Sequence, residues 1–157
     1  MEKYVYFYET IIGSVGIAAN EEYITNLYFG KTPDKNLPIK ETELIKNAFA
    51  ELKEYLEGKR KKFELPLKAE GTDFQKMVWN ALLNIPYGET KSYQDIAIEI
   101  GNPKACRAVG LANNRNPIAI FIPCHRVIGK NGKLVGYGGG IHNKEILLNL
   151  EKESADC

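Results

Sequence analysis

The sequence predicts an α/β protein in two parts: a small N-terminal α/β part with a short β-sheet and one helix, and a mostly helical C-terminal part with a helix-turn-helix. Short β-type runs with turn signals lie near the N-terminus, and a stretch with helical apolar spacing follows them. The second half alternates capped helical runs with tight turns. A chain of 157 residues can bury a core in one or two small domains. We place the boundary between residues 1–70 and residues 71–157.

Three strands and one helix are predicted for the first part. Tyr4 to Tyr8 and Val15 to Ala19 are β-type runs separated by the turn signal Gly13-Ser14, and Tyr23 to Phe29 is a third. Residues 32–40 are predicted to be a loop. Apolar residues then recur at helical spacing over residues 41–56, namely Leu44, Ile45, Ala48, Phe49, Leu52, Tyr55 and Leu56. The basic run at 59–62 is either a DNA contact or, more commonly for such clusters, a solvated linker.

Helices joined by turns are predicted for the second part. Thr72 or Asp73 caps a helix that runs to Leu83, and Ser92 caps a second helix that Gly101 closes. After a tight turn at 102–103, a further helix covers residues 104–114. This pair forms a helix-turn-helix pattern with cations on its second helix, although many such pairs never touch nucleic acid.

The C-terminal third is predicted to hold a buried segment, a loop and a last helix. Residues 118–122 are a continuous apolar run, which predicts a buried strand or a buried extended segment. Residues 129–132 read as a turn and the glycine-rich residues 136–140 as a flexible loop. The last helix is expected from about residue 143 to 153, with Ile146, Leu147 and Leu150 facing inward.

Composition excludes several classes of protein. No apolar run approaches the ~20 residues that span a bilayer, and no signal-peptide pattern begins the chain, so we expect a cytoplasmic protein without a membrane partner. An odd number of cysteines argues against a disulfide framework, and with only two histidines the supply of zinc ligands is poor. We therefore expect no metal and no cofactor. The cysteines are Cys106, Cys124 and Cys157.

Charge is distributed unevenly although the net charge is only +1. No Asp or Glu occurs between Glu99 and Glu145, a stretch that contains seven cations. This segment is either a local phosphate-binding face or a loop-rich stretch that happens to lack acids, and composition alone does not decide. The cations are Lys104, Arg107, Arg115, Arg126, Lys130, Lys133 and Lys144.

Cys124 is the strongest candidate for chemistry. It ends the apolar run and precedes His125, and a neighbouring imidazole can accept the proton of a thiol that attacks an electrophile. The alternative is a cysteine that packs as a small hydrophobic residue. Glu145 and Glu151 on the last helix are both available to orient the histidine, and spacing does not choose between them. Ser92, Tyr93, Asn116 and Tyr137 are polar groups in apolar or glycine-rich surroundings, where such residues usually serve packing.

Several motifs together resemble one family. IPCHRV at residues 122–127 resembles the active-site motif of the O6-alkylguanine-DNA alkyltransferases. FQKMVWNALLNIPYGETKSYQDIA, GNPKACRAVGLANNRNP and the glycine-rich loop with LLNLE resemble the same family in the same order and at matching spacing. The resemblance is close from 71 to about 151 and loose before that. It implies a ribonuclease-H-like domain at 1–70 and a winged helix-turn-helix alkyltransferase domain at 71–157.

The resemblance implies a role for each residue of the catalytic group. Cys124 would accept the alkyl group, His125 would act as its base through a water, and Glu151 would hold the imidazole. Tyr93 would help to rotate the nucleotide and would donate to N3 of the base. Asn116 would brace the turn that presents the cysteine.

Further positions would contact DNA or line the pocket. Arg107 would enter the duplex and fill the space of the extruded nucleotide, and the carbonyls of Cys124 and Val127 would accept from the guanine amine. Tyr137 would line the pocket and the Gly138 N–H would face O6; some relatives have serine at this position, which leaves substrate breadth open. The other DNA-binding positions are Lys104, Ala105, Ala108 and Arg115.

The implied activity is a one-turnover transfer from O6-alkylguanine in double-stranded DNA, with O4-alkylthymine as a second candidate substrate, by a monomer that flips the base. Two alternatives remain. A cysteine hydrolase would use Cys124 and His125 to form an acyl-enzyme and would turn over. A non-catalytic binder of damaged DNA would be expected if position 124 lacked a thiol.

Overall fold

The computed structural model describes residues 2–30 and 36–155. Cys157 and residues 32–35 of the predicted 32–40 loop therefore lie outside the described residues. Two single-turn 3-10 helices, Cys124–Arg126 and Lys130–Gly132, flank β5. The regular elements are, in chain order, β1 Tyr4–Thr10, β2 Gly13–Ala19, β3 Ile24–Phe29, α1 Glu43–Leu56, α2 Asp73–Leu83, β4 Lys91–Ser92, α3 Tyr93–Glu99, α4 Cys106–Asn114, β5 Val127–Ile128 and α5 Ile141–Ala155.

The N-terminal elements form an antiparallel sheet covered by one helix. The strand order is β1-β2-β3, and Gly13, with φ of +92°, permits the turn between the first two strands. The Thr42 side chain caps α1 by accepting from the Ile45 N–H. The helix buries Ile45, Ala48, Leu52 and Tyr55. The predicted α/β class, with three short strands and one helix here, is confirmed.

Local capping signals explain where α2 and α3 begin, whereas α4 has no side-chain cap. Thr72 and Gln75 form a capping box at the start of α2, and Ser92 and Asp95 form one at the start of α3. The predicted start of α4 at residue 104 is wrong by two residues. The Ala105 N–H donates to the Asn102 carbonyl, so residues 102–105 form a turn instead of a first helical turn.

The predicted strand at 118–122 is wrong, whereas its burial is right. All five residues are buried, but the Phe121 N–H donates to Ala119 O at 2.9 Å and the Ile122 N–H donates to Ile118 O at 3.0 Å. Ile120 has φ of +72°, a left-handed conformation that is rare for a β-branched residue. The segment is therefore a pair of tight turns, and an apolar run reports burial without reporting how extended the backbone is.

One hydrophobic core joins the two parts of the chain. Buried side chains of the sheet, α1, α2 and the 118–122 turns form a single cluster. The Leu27 N–H donates to Pro117 O at 2.9 Å, and the Asn143 side chain donates to Ile12 O at 3.0 Å. These contacts place α5 and the 118–122 turns against the N-terminal part. No described helix is long and apolar enough to cross a bilayer.

Candidate active site

Cys124 lies on a turn that a side chain braces. It begins the 3-10 helix Cys124–Arg126, and its side chain is buried. The Asn116 amide oxygen accepts from the Ile118 N–H at 3.0 Å, and its nitrogen donates to Ile122 O at 2.8 Å. The amide thus ties together the two ends of the 118–122 turns, and this tie fixes the approach of the chain to Cys124.

His125 pairs with Glu151 and not with Glu145. The His125 Nε2 atom lies 2.7 Å from Oε2 of Glu151, and both side chains are buried. Glu145 is exposed on the same helix, α5. Of the two carboxylates that the sequence offered, the fold brings only Glu151 to the imidazole.

The Glu151 carboxylate is surrounded by donors. Arg126 donates from Nε to Oε1 at 2.8 Å and from Nη2 to Oε2 at 3.0 Å, and the Gly88 N–H donates to Oε1 at 3.2 Å. Burial alone would raise the pKa of Glu151, but the contacts with His125 and Arg126 outweigh it and lower the pKa to about 2. Glu151 is therefore ionised at neutral pH.

An ionised Glu151 fixes the proton on the imidazole. A carboxylate only accepts hydrogen bonds, so the His125 Nε2 atom must carry the hydrogen that faces it. The neutral ring then has its lone pair on Nδ1. This Nδ1 atom is buried and has no hydrogen-bond partner among the described residues. His125 is thus arranged to accept a proton at Nδ1.

Burial keeps the thiol and the imidazole neutral in the resting protein. It raises the pKa of Cys124, against the opposing effects of the Asn116 amide and the Lys144 charge. Burial also lowers the pKa of His125, although Glu151 acts in the opposite direction. The sulfur is therefore a thiol at neutral pH, and a thiolate forms only when a base takes the proton during attack.

Cys124 opens into a cavity of about 180 Å³ between the sheet and the end of α4. The Tyr137 hydroxyl is buried and, within the described part of the chain, has no hydrogen-bond partner. A Cβ at position 139 would lie 2.8 Å from the Phe29 ring, so this loop approaches the sheet closely only because Gly139 lacks a side chain. The lining residues are Leu27, Tyr28, Phe29, Asn113, Asn114, Asn116, Ala119, Cys124, Tyr137 and Gly138.

Tyr93 and Arg107 line a neighbouring groove of about 290 Å³. The Tyr93 hydroxyl donates to Val135 O at 3.1 Å. Burial raises the pKa of Tyr93, and the negative charge of a Cys124 thiolate raises it further. Along α4 and its flanks Ala105 is half-buried, and the other predicted DNA-binding residues, Lys104, Arg107, Ala108 and Arg115, are exposed.

Val127 is the predicted pocket residue that does not line the cavity. It is fully buried, and its carbonyl accepts from the Lys144 Nζ atom at 2.6 Å. Lys144 is itself fully buried and also donates to Val135 O at 3.0 Å. Burial lowers the pKa of Lys144, and the charge of Cys124 opposes that shift.

Among the residues that bond to predicted site residues, sequence reasoning did not place Tyr55, Arg126 and Lys144 in the site. Lys144 precedes Glu151 by seven residues, which is two helical turns, so the shared helix face was a usable signal. Arg126 directly follows His125, but the direction in which its side chain points depends on the 3-10 helix Cys124–Arg126. Tyr55 is 96 residues from Glu151, and no local pattern reports that contact.

No cluster of three or more His, Cys, Asp or Glu side chains that could hold a metal ion occurs within residues 2–30 and 36–155. Of the two cysteines described, Cys106 is half-buried and its sulfur lies 3.1 Å from the Gln94 side-chain oxygen.

Two family models match the chain. The 6-O-methylguanine DNA methyltransferase, ribonuclease-like domain, matches residues 3–69, and the 6-O-methylguanine DNA methyltransferase, DNA binding domain, matches residues 73–153. The methylated-DNA–protein-cysteine methyltransferase of Methanosarcina acetivorans is 52% identical over 152 residues, covering 94% of this chain and 97% of the relative. The constitutive enzyme of that name from Bacillus subtilis is 49% identical over 154 residues, covering 93% of each chain.

Solved structures agree with these relatives. The Mycobacterium tuberculosis O6-methylguanine methyltransferase superimposes with a TM-score of 0.89 at 46% identity, covering 97% of this chain and 94% of that one. The M. tuberculosis OGT in complex with DNA gives a TM-score of 0.90 at 46% identity, covering 96% and 94%. On these matches along nearly its whole length, the chain belongs to the 6-O-methylguanine DNA methyltransferase family.

Proposed function

We propose that this protein repairs DNA by moving a methyl or larger alkyl group from O6 of guanine in duplex DNA onto the sulfur of Cys124. The observation that carries the proposal is a buried thiol that lines a cavity and is followed by a buried imidazole, whose partner is an ionised carboxylate. The names of the relatives support the same reaction. In this proposal residues 71–157 form the alkyltransferase domain and residues 1–70 the ribonuclease-H-like domain.

The transfer is a direct displacement at the alkyl carbon. The thiol proton moves to Nδ1 of His125, directly or through one water, and Glu151 stabilises the imidazolium that results. The sulfur forms a bond to the alkyl carbon while the bond from that carbon to O6 breaks. The electron pair of the broken bond stays on the guanine. The protein keeps a thioether that water does not readily cleave, so each chain reacts once.

The departing guanine needs hydrogen-bond donors for its developing charge. The Tyr93 hydroxyl, now on Val135 O, would turn to N3 of the base, and the Gly138 N–H would face O6. The buried Tyr137 hydroxyl lines the same cavity without a partner in the described residues. Because Gly138 offers only its backbone N–H here, we expect the alkyl-size range to differ from that of relatives with serine.

Access to O6 requires the nucleotide to leave the stack, which costs a few kcal/mol. In our proposal α3, the following turn and α4 act as a helix-turn-helix, and α4 lies in the minor groove. Arg107 is exposed on α4 and would fill the vacated space. Lys104 and Arg115 would contact phosphates, while the small side chains of Ala105 and Ala108 would permit close approach.

One chain supplies every group that this reaction uses, so we expect a monomer to be sufficient, without a cofactor. We also expect it to act in the cytoplasm, where reducing conditions keep thiols free. O4-alkylthymine remains a second candidate substrate of the same cavity.

A stoichiometry experiment tests the proposal. The protein is mixed with excess duplex oligonucleotide containing O6-methylguanine labelled in the methyl group. We expect one methyl group per chain and then no further transfer. Cys124→Ala should transfer nothing while binding the duplex within about tenfold, ~1.4 kcal/mol, and Cys106→Ala is the matched control that should transfer normally. Continued release of product would instead favour the hydrolase, and full transfer by Cys124→Ala would overturn the proposal.

A further inference from the structure

Tyr55 connects the N-terminal part of the chain to the catalytic group. It lies on α1 and is fully buried. Its hydroxyl is 2.5 Å from Oε2 of Glu151 and 3.3 Å from Nε2 of His125. No step of the transfer described above uses this hydroxyl, although it reaches the two residues that control the proton of Cys124.

The direction of the Tyr55 hydrogen bond follows from the charge of its partner. Glu151 is ionised and only accepts, so the hydroxyl donates to Oε2. Burial raises the pKa of Tyr55 well above its usual value, and the Glu151 charge adds to this, so the hydroxyl keeps its proton. Oε2 therefore shares its negative charge between the Tyr55 hydroxyl, the His125 ring and the Arg126 guanidinium.

We propose that Tyr55 is a positioning residue that sets the basicity of His125 through the Glu151 carboxylate. A carboxylate that receives a strong hydrogen bond from a neutral donor attracts a neighbouring imidazolium less. The Tyr55 hydroxyl thereby adds to the effect of burial in keeping the imidazole neutral near pH 7, so that Nδ1 stays free to take the thiol proton. This role rests on the proposed function, because it concerns the base of that reaction.

Other ionisable groups lie near this contact, and a Tyr55→Phe variant retains them. Arg126 packs against Glu151 from the 3-10 turn, and its charge lies 5.7 Å from the Tyr87 ring. Besides burial, Arg126 and Lys144 both lower the pKa of His125. Arg126 and Tyr87 act on Tyr55, and the Glu151 charge acts on Tyr137. Arg126, Lys144, Tyr87 and Tyr137 all remain in a Tyr55→Phe variant.

The test is a pH titration of His125 by nitrogen NMR in the full-length, unreacted protein, in parallel with the pH profile of methyl transfer. Tyr55→Phe should raise the His125 midpoint by about one unit, a tenfold change in proton affinity. The acid limb of the transfer rate should move by the same amount, with less than about a threefold change in the plateau. Tyr8→Phe is the matched control and should move neither, since it also removes a 2.5 Å bond from a tyrosine hydroxyl to a carboxylate, that of Glu41, beside α1, where the Tyr8 ring stacks on Phe49.

The outcomes separate this inference from the proposed function. A lower plateau with an unmoved midpoint would mean that Tyr55 only supports the fold, and a midpoint that falls would also overturn the inference. If the wild-type chain transfers no methyl group, the proposed function fails while the NMR titration still decides the role of Tyr55. If Tyr55→Phe does not fold, 3-fluorotyrosine placed at 55 keeps the ring and is a stronger donor. It should lower the His125 midpoint, and a rise or no change would contradict the inference.

Discussion

Replacing Glu151 with glutamine should cost about 3–5 kcal/mol of unfolding free energy, the usual range for breaking a buried ion pair from one side. The carboxylate accepts from five donor groups, which belong to Tyr55, Gly88, His125 and twice to Arg126. The glutamine amide has the same shape but only one acceptor oxygen. Its NH2 group would face at least two of these donors, which would then lose their acceptor. It also leaves the guanidinium of Arg126, a residue that is 7% exposed, without the carboxylate that it pairs with.

The loss is measured by equilibrium urea unfolding at pH 7.5, with an unchanged dependence on urea concentration. Glu145→Gln is the matched control on the same helix, because Glu145 is exposed, and should change stability by no more than about 0.5 kcal/mol. Since native domains have only about 5–15 kcal/mol of stability, the Glu151 variant should melt far earlier. A loss below about 1 kcal/mol would refute the view that this carboxylate neutralises a buried charge.

Three further predictions follow from the same geometry. The free energy of unfolding should fall in two stages as the pH is lowered. The first fall lies below pH 6.5, because burial lowers the pKa of His125 in the folded state, and the second lies between about pH 4.5 and 2, as Glu151 is protonated. Urea unfolding that shows constant stability across this pH range would contradict both pKa shifts. Asn116→Ala should lose about 2 kcal/mol, since two hydrogen bonds of the Cys124 turn disappear, and transfer should slow; an unchanged rate in a stopped-flow assay would remove its bracing role. Arg107→Ala should slow repair of duplex DNA far more than reaction with free O6-methylguanine, and equal losses on both substrates would exclude a part in base extrusion.

Sequence alone predicted those elements whose signals are local. The capping residues Thr72 and Ser92 are close in the chain to the helices that they begin. Ser92 was read correctly, and Thr72 was one of the two caps that the sequence offered. The strands β1 to β3 were found because alternating runs and turn residues are contained within a few positions. Cys124 and His125 were found as neighbours, and the resemblance then selected Glu151 from two carboxylates.

The remainder depends on contacts between distant residues. Ile120 adopts a left-handed backbone inside an apolar run, and nothing in its residue type indicates that. Tyr55 is one of several apolar-facing residues of α1, and only the packing of α5 against α1 turns its hydroxyl into a partner of Glu151. Contacts and backbone conformations of this kind are decided by tertiary structure, and no periodic pattern in the sequence predicts them.

The most direct test of alkyl transfer to Cys124 is peptide mapping by mass spectrometry after one round of reaction with duplex DNA containing O6-methylguanine. We expect a single methyl group on the peptide with Cys124 and an unmodified peptide with Cys106. A methyl group on any other residue, or an unmodified protein beside repaired DNA, would contradict transfer to Cys124.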